Sequence, residues 1–126
     1  MPRVRNWRLL KGSTLFLLGL VAGFGVSARS SALKTPSIKT ILENSKVLVT
    51  EVVFEKAAQR PTHTRPNDQV IVFLNDAQYE VVYPDGRKET KSRKAGETIW
   101  HSRGETAPNL TNTGSTSYRT IVINLK

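Results

Sequence analysis

Downstream of residue 45, apolar and polar side chains alternate with the period of two that gives an extended chain one half-buried face. Residues 46–55, KVLVTEVVFE, are rich in β-branched side chains and contain neither Gly nor Pro, which predicts a strand. Residues 69–75, QVIVFLN, form a short apolar strand. In 77–83, Ala77, Tyr79, Val81 and Tyr83 fall on one face, with Gln78 and Glu80 on the other. Residues 88–93 predict a polar edge-like strand, 98–101 (TIWH) another, and 109–112 a short one. The last strand, 118–125, places Tyr118, Thr120, Val122 and Asn124 on one face and Arg119, Ile121, Ile123 and Leu125 on the other. Between these runs lie the turn sequences NDA, PDGR (84–87), KAGE (94–97) and SRG (102–104). SIKTILENS, 37–45, fits either one helical turn or a first strand. Seven or eight short strands with tight turns predict an all-β sandwich or barrel.

The first 28 residues follow a different pattern. Arg3, Arg5, Arg8 and Lys11 precede an apolar run from about Thr14 to Val26, and Val26-Ser27-Ala28 supplies the small residues that a signal peptidase needs. This is the pattern of a bacterial secretory signal. The run is short for a membrane span and carries Gly19, Gly23 and Gly25. The expected organisation is a signal at 1–28, a lead-in segment at 29–45 and the barrel at 46–126, with the mature protein periplasmic or extracellular. If the signal stays uncleaved, residues 9–28 become a membrane anchor and the protein a membrane-anchored interaction module.

Composition narrows the chemistry. The chain has 126 residues, 38% of them hydrophobic, enough for one small domain. Cysteine is absent, which excludes disulfides, thiolate metal sites and a Cys nucleophile. The formal net charge is +9, and without the four cations of the first 28 residues it falls to +5. Only 87–94, RKETKSRK, is a basic cluster, and no dense stripe with interleaved aromatics predicts nucleic-acid binding.

Two stretches carry a family resemblance. PTHTRPNDQ, 61–69, and GETIWHSRGETAPNLTN, 96–112, resemble the two motifs of the cupin superfamily, His-x-His-x3-Glu and Gly-x5-Pro-x-Gly-x2-His-x3–4-Asn. The resemblance covers about residues 46–126 and implies a single small antiparallel β-barrel of jelly-roll type. Members of the superfamily usually hold a divalent metal through three His and one Glu. In this chain His63 matches, Arg65 replaces the second His, Gln69 replaces the Glu and Ala107 replaces the third His. Gly96, Gly104 and Asn112 match, and Ser102 replaces the Pro.

Arginine is a permanent cation and alanine has no donor, so the inherited metal site is expected to be absent and no cofactor is implied. Two readings of the site remain open. In one, Arg65 puts a fixed positive charge where the metal would sit. The barrel then binds a small organic anion through His63, Arg65, Gln69 and His101, with Trp100 beside His101 in the same ligand set. In the other, His63, Gln69 and His101, with Glu105 nearby, rebuild a divalent-metal site for an isomerase or dioxygenase. Phe54, Phe73, Tyr79, Tyr83 and Tyr118 either line a cavity or simply fill a core. A homodimer is compatible with the resemblance.

Overall fold

The computed structural model describes residues 33–126. The signal or anchor at 1–28 and the start of the lead-in segment lie outside the described residues. Leu33–Lys126 forms its own compact unit with eleven strands and no helix.

Two sheets face each other. The first has five strands in the order β1 (Ser37–Glu43), β2 (Val47–Phe54), β11 (Tyr118–Leu125), β5 (Asp68–Phe73) and β8 (Thr98–His101). The second has four, in the order β3 (Gln59–Arg60), β10 (Asn109–Asn112), β6 (Ala77–Val82) and β7 (Lys88–Arg93). A two-stranded patch, β4 (His63–Thr64) with β9 (Thr106–Ala107), closes one end. Consecutive strands often lie in different sheets, as in a jelly roll.

Alternation along each strand sets what lies between the sheets. Phe54, Phe73, Tyr79 and Tyr118 are buried there, with Ala58, Ala77, Val81 and Leu110. The Phe54 and Tyr118 rings stack with centroids 5.0 Å apart. The intervening residues of the five-stranded sheet point the other way. By register, Leu42, Val49, Ile123, Val70 and Trp100 form one row across all five strands on the outer face.

The stretch 37–45 resolves as a strand. β1 pairs with β2 throughout, with a bulge at Ile41, so the sheet begins within the segment read as a lead-in. β1 has a neighbour on one side only and all seven of its residues are exposed, which is why its sequence carries little alternation.

Asn112 is the principal buried polar tie and is 2% exposed. Its Nδ2 donates to the carbonyls of Phe54 at 2.9 Å, Thr116 at 3.0 Å and Glu55 at 3.2 Å, while its Oδ1 accepts from Gly114 N at 3.0 Å. These bonds hold the end of β2 and the loop before β11 against β10. The turn after β2 has a conformational cost: Ala57 sits at φ 67°, the left-handed region that side chains with a Cβ disfavour. Ala57→Gly is expected to stabilise the fold by about 0.5–1 kcal/mol, because the relief of that strain exceeds the extra freedom glycine gains when unfolded. Urea unfolding checks it, and a destabilised variant would show that the strain is negligible here.

Candidate functional site

The inner faces of the two sheets enclose a cavity of about 550 Å³, within the range of small-molecule sites. Its walls are largely apolar, with Val52, Ile71, Val81, Ile99 and the four stacked aromatics. A group of its polar side chains, Arg60, His63, Arg65, Gln69, His101 and Asn124, comes from β3, β4, β5, β8 and β11 and the loops beside them, while Lys91 and Arg93 line it from β7.

Arg65 follows β4 and is 5% exposed. Its backbone is clamped: Arg65 N donates to Glu105 O and Gly104 N donates to Arg65 O, both at 2.9 Å. Gly104 adopts φ 86° to turn the loop back at this point, which favours glycine. The Arg65 side chain donates from Nη1 to Gln69 Oε1 at 2.7 Å, and Gln69 Nε2 donates to Asn124 Oδ1 at 2.7 Å. This chain of neutral amides fixes the guanidinium without cancelling its charge. The Arg65 Nε is buried with no partner.

A second guanidinium, which the sequence reading did not single out, lines the same cavity. Arg60 lies on β3, donates from Nη2 to Pro108 O at 2.7 Å, and also has a buried Nε with no partner. Burial, and after it the neighbouring positive charge of Arg65, bring Arg60 from the ordinary guanidinium range down to about 10. Burial lowers Arg65 as well, against the opposing pull of Glu105. Neither arginine forms an ion pair with a carboxylate among the described residues. Tyr118 contributes a third orphan, its buried hydroxyl, and burial raises the pKa of that phenol well above the usual range.

Both histidines line the cavity. His63 is exposed at the rim and faces Ala107 across the β4–β9 pair. His101 pairs in register with Gln69, and its Nδ1 lies 3.0 Å from Glu105 Oε2. Glu105 Oε1 also accepts from Ser102 N at 2.9 Å, so this carboxylate serves the histidine and its own loop. Burial holds both imidazoles below the ordinary value near 6.5; Arg60 and Arg65 add to this, while hydrogen bonds to Pro61 O for His63 and to Glu105 for His101 oppose it. The unfolded chain therefore binds protons below about 6.5 that the native chain resists, and stability is lost as pH falls through that value. Denaturant unfolding at pH 7.5 and 5.5 is expected to show that loss, smaller in His101→Gln. An unchanged midpoint in the native protein would contradict it.

Trp100 departs from the expected ligand set. It is 53% exposed, on the outer face, with Nε1 donating to Ser102 Oγ at 3.1 Å. Neighbours on a strand point to opposite faces, so His101 facing inward turns Trp100 out. His63, Arg65, Gln69 and His101 all line the cavity.

The four positions do not compose a metal shell. Arg65 is cationic, Ala107 has no donor atom, and the Gln69 oxygen is already directed at the Arg65 guanidinium. A divalent cation beside the two arginines, Arg65 buried and Arg60 half-buried, would meet their repulsion. Among the described residues no group of three or more His, Cys, Asp or Glu is placed to hold a metal.

Solved structures share this architecture. A cupin domain from Bordetella pertussis superposes with a TM-score of 0.69 at 21% identity, over 77% of this chain and 99% of its own. The polyketide cyclase RemF from Streptomyces resistomycificus gives 0.62 at 20% identity, over 77% of this chain and 69% of its own. The lyase DddQ from Ruegeria pomeroyi, which acts on DMSP, gives 0.57 at 14% identity, over 73% of this chain and 47% of its own. No family model and no curated protein matches the sequence. The chain therefore has the cupin fold, an all-β double-stranded β-helix, as its two motifs led us to expect, and proteins of differing function share it.

Proposed function

We propose that this cupin barrel is an exported receptor for a small organic anion, which it binds without a metal. The observation that carries the reading is the pair of guanidiniums, Arg65 buried and Arg60 half-buried, each with a buried, unpartnered Nε. A buried charge without a counter-charge costs several kcal/mol, and an anionic guest supplies the missing partner. A carboxylate suits the planar, multiply donating guanidinium. The apolar walls suit a hydrocarbon or aromatic body, and the Tyr118 hydroxyl offers a hydrogen bond to a polar substituent on it. Gln69 and Asn124 orient Arg65, while His63 and His101 stand neutral at the mouth near pH 7 and shield the site from bulk water. The Val26-Ser27-Ala28 pattern supports an extracytoplasmic site of action, and N-terminal sequencing of the exported protein checks cleavage there.

Calorimetry against a panel of aromatic and aliphatic monocarboxylates, each with its uncharged primary amide, tests the binding reading. Carboxylates are expected to bind at least tenfold more tightly than their amides, in the presence or absence of a chelator. Equal binding of the two forms, or binding only after addition of a divalent metal, would overturn it.

A further inference from the structure

The cavity carries more positive charge than a single carboxylate would answer. Among the described residues, Arg60, Arg65, Lys91 and Arg93 all line it. Two of these cations are matched within the protein. Lys91 pairs with Glu89 at 3.2 Å and Arg93 with Glu97 at 2.8 Å, and Arg93 Nε also donates to the Tyr79 hydroxyl at 3.1 Å. Among the described residues Glu105 is the one carboxylate in the lining. It is exposed, where water screens its charge, and its two oxygens already serve Ser102 N and His101. Arg60 and Arg65 are left without a counter-charge of their own.

We infer that the guest is a dicarboxylate, with one carboxylate held at Arg65 and the other at Arg60. This rests on the reading of the cavity as an anion site and adds the number and placement of the guest's charges. The two guanidiniums are tied to facing walls. Arg65 is bonded to Gln69 on β5 and through it to Asn124 on β11, both strands of the five-stranded sheet. Arg60 belongs to β3 of the four-stranded sheet and is bonded to Pro108 O, just before β10. Packed sheets lie about 10 Å apart, so a guest charged at two points answers each cation where it is held. The donors that remain also differ. Arg65 spends Nη1 on Gln69, which leaves Nε and Nη2, the edge that takes a carboxylate through two parallel bonds. Arg60 spends Nη2 on Pro108 O and has Nε without a partner, so its contact with a carboxylate is the less complete of the two. The positive charge of Arg65 weighs on Arg60, and a carboxylate at each offsets that repulsion as one alone does not. The apolar walls between them suit the carbon chain or ring that joins the two carboxylates.

Calorimetry of the full chain with succinate, glutarate, adipate and the three benzenedicarboxylates, each beside its monoamide and its diamide, tests this. At least one dicarboxylate is expected to bind tenfold or more tightly than its own monoamide. In Arg60→Met that advantage is expected to fall below about threefold, with the monoamide affected less than the dicarboxylate. Thermal unfolding of the variant confirms that it is folded, and Arg60→Gln is read in the same way should the methionine variant not fold. Dicarboxylates that bind no better than their monoamides overturn the inference, as does an advantage that survives loss of Arg60. Inorganic phosphate binding as tightly as the best dicarboxylate also overturns it, since one anionic head would then satisfy both cations. The two readings fail differently. Monoamides that bind no better than diamides remove the anion site itself, whereas monoamides that bind well with no gain from a second carboxylate remove only this inference.

Discussion

Arg65→Met is expected to abolish carboxylate binding while leaving the barrel at least as stable as the native protein. The two halves of that result have one cause. The guanidinium is 5% exposed and leans on a neutral amide, so the native fold bears its desolvation without an ion pair to offset it. Methionine has similar volume and no charge, and replacing a buried charge with an apolar side chain is often neutral or stabilising. Binding behaves oppositely. A charge-assisted contact between guanidinium and carboxylate contributes on the order of 2–5 kcal/mol when truncated, so affinity should fall by roughly 30-fold or more, and beyond measurement for a ligand of modest affinity. Arg60→Met should act in the same direction on binding, while Arg65→Met should let the Arg60 guanidinium rise from about 10 toward its ordinary range. Thermal unfolding and calorimetry on the same preparations read both halves. An Arg65→Met protein that unfolds at markedly lower temperature would show the residue to be a structural tie, and one that binds carboxylates normally would remove it from the site.

The second large effect concerns Asn112. Asn112→Ala should destabilise the fold by about 3 kcal/mol, since it leaves the buried Phe54 carbonyl and its neighbours without their donor. For a unit of this size that lowers the melting temperature by roughly 12–24 °C. Asn112→Asp should be worse than its near-identical shape suggests. A carboxylate cannot donate to the carbonyls of Phe54, Glu55 and Thr116, and it would carry a buried charge beside them. Differential scanning calorimetry decides between these values and an ordinary surface substitution, which would move the midpoint by only a few degrees. Because Asn112 is distant in role from the arginines, carboxylate affinity in any variant that stays folded at the assay temperature should be unchanged.

Alternation made most of the fold legible. Tyr118, Thr120, Val122 and Asn124 share one face, as their spacing predicted, and so do Tyr79 and Val81; the structure turns both faces to the cavity. The elements that escaped are those without enough length for a period to register. β3, β4 and β9 have two residues each, and their positions are set by partners far along the chain, not by local pattern. Arg60 was missed for that reason, since its strand exists only through pairing with β10. A signal was present in the repeated Arg-Pro of RPTHTRP, 60–66, which flanks the motif with the two cations that share the cavity. Trp100 was misplaced against a rule the sequence already contained, because adjacent strand residues cannot both face in. The motif positions themselves were readable one by one. That Gln69 would spend its oxygen on Arg65, and that Glu105 would turn to His101, depended on side-chain directions that no spacing encodes.

The clamp between Arg65 and the 102–105 loop carries one more implication. The residue that holds the charge and the loop that shapes the cavity mouth are joined through reciprocal main-chain bonds, Arg65 N to Glu105 O and Gly104 N to Arg65 O. If a guest that stills the Arg65 side chain also stills this loop, its departure would require a local opening that breaks those bonds. Exchange of the Gly104 amide hydrogen with solvent would then slow in step with occupancy, and the lifetime of the complex would be governed by opening of the 102–105 loop rather than by the depth of the cavity.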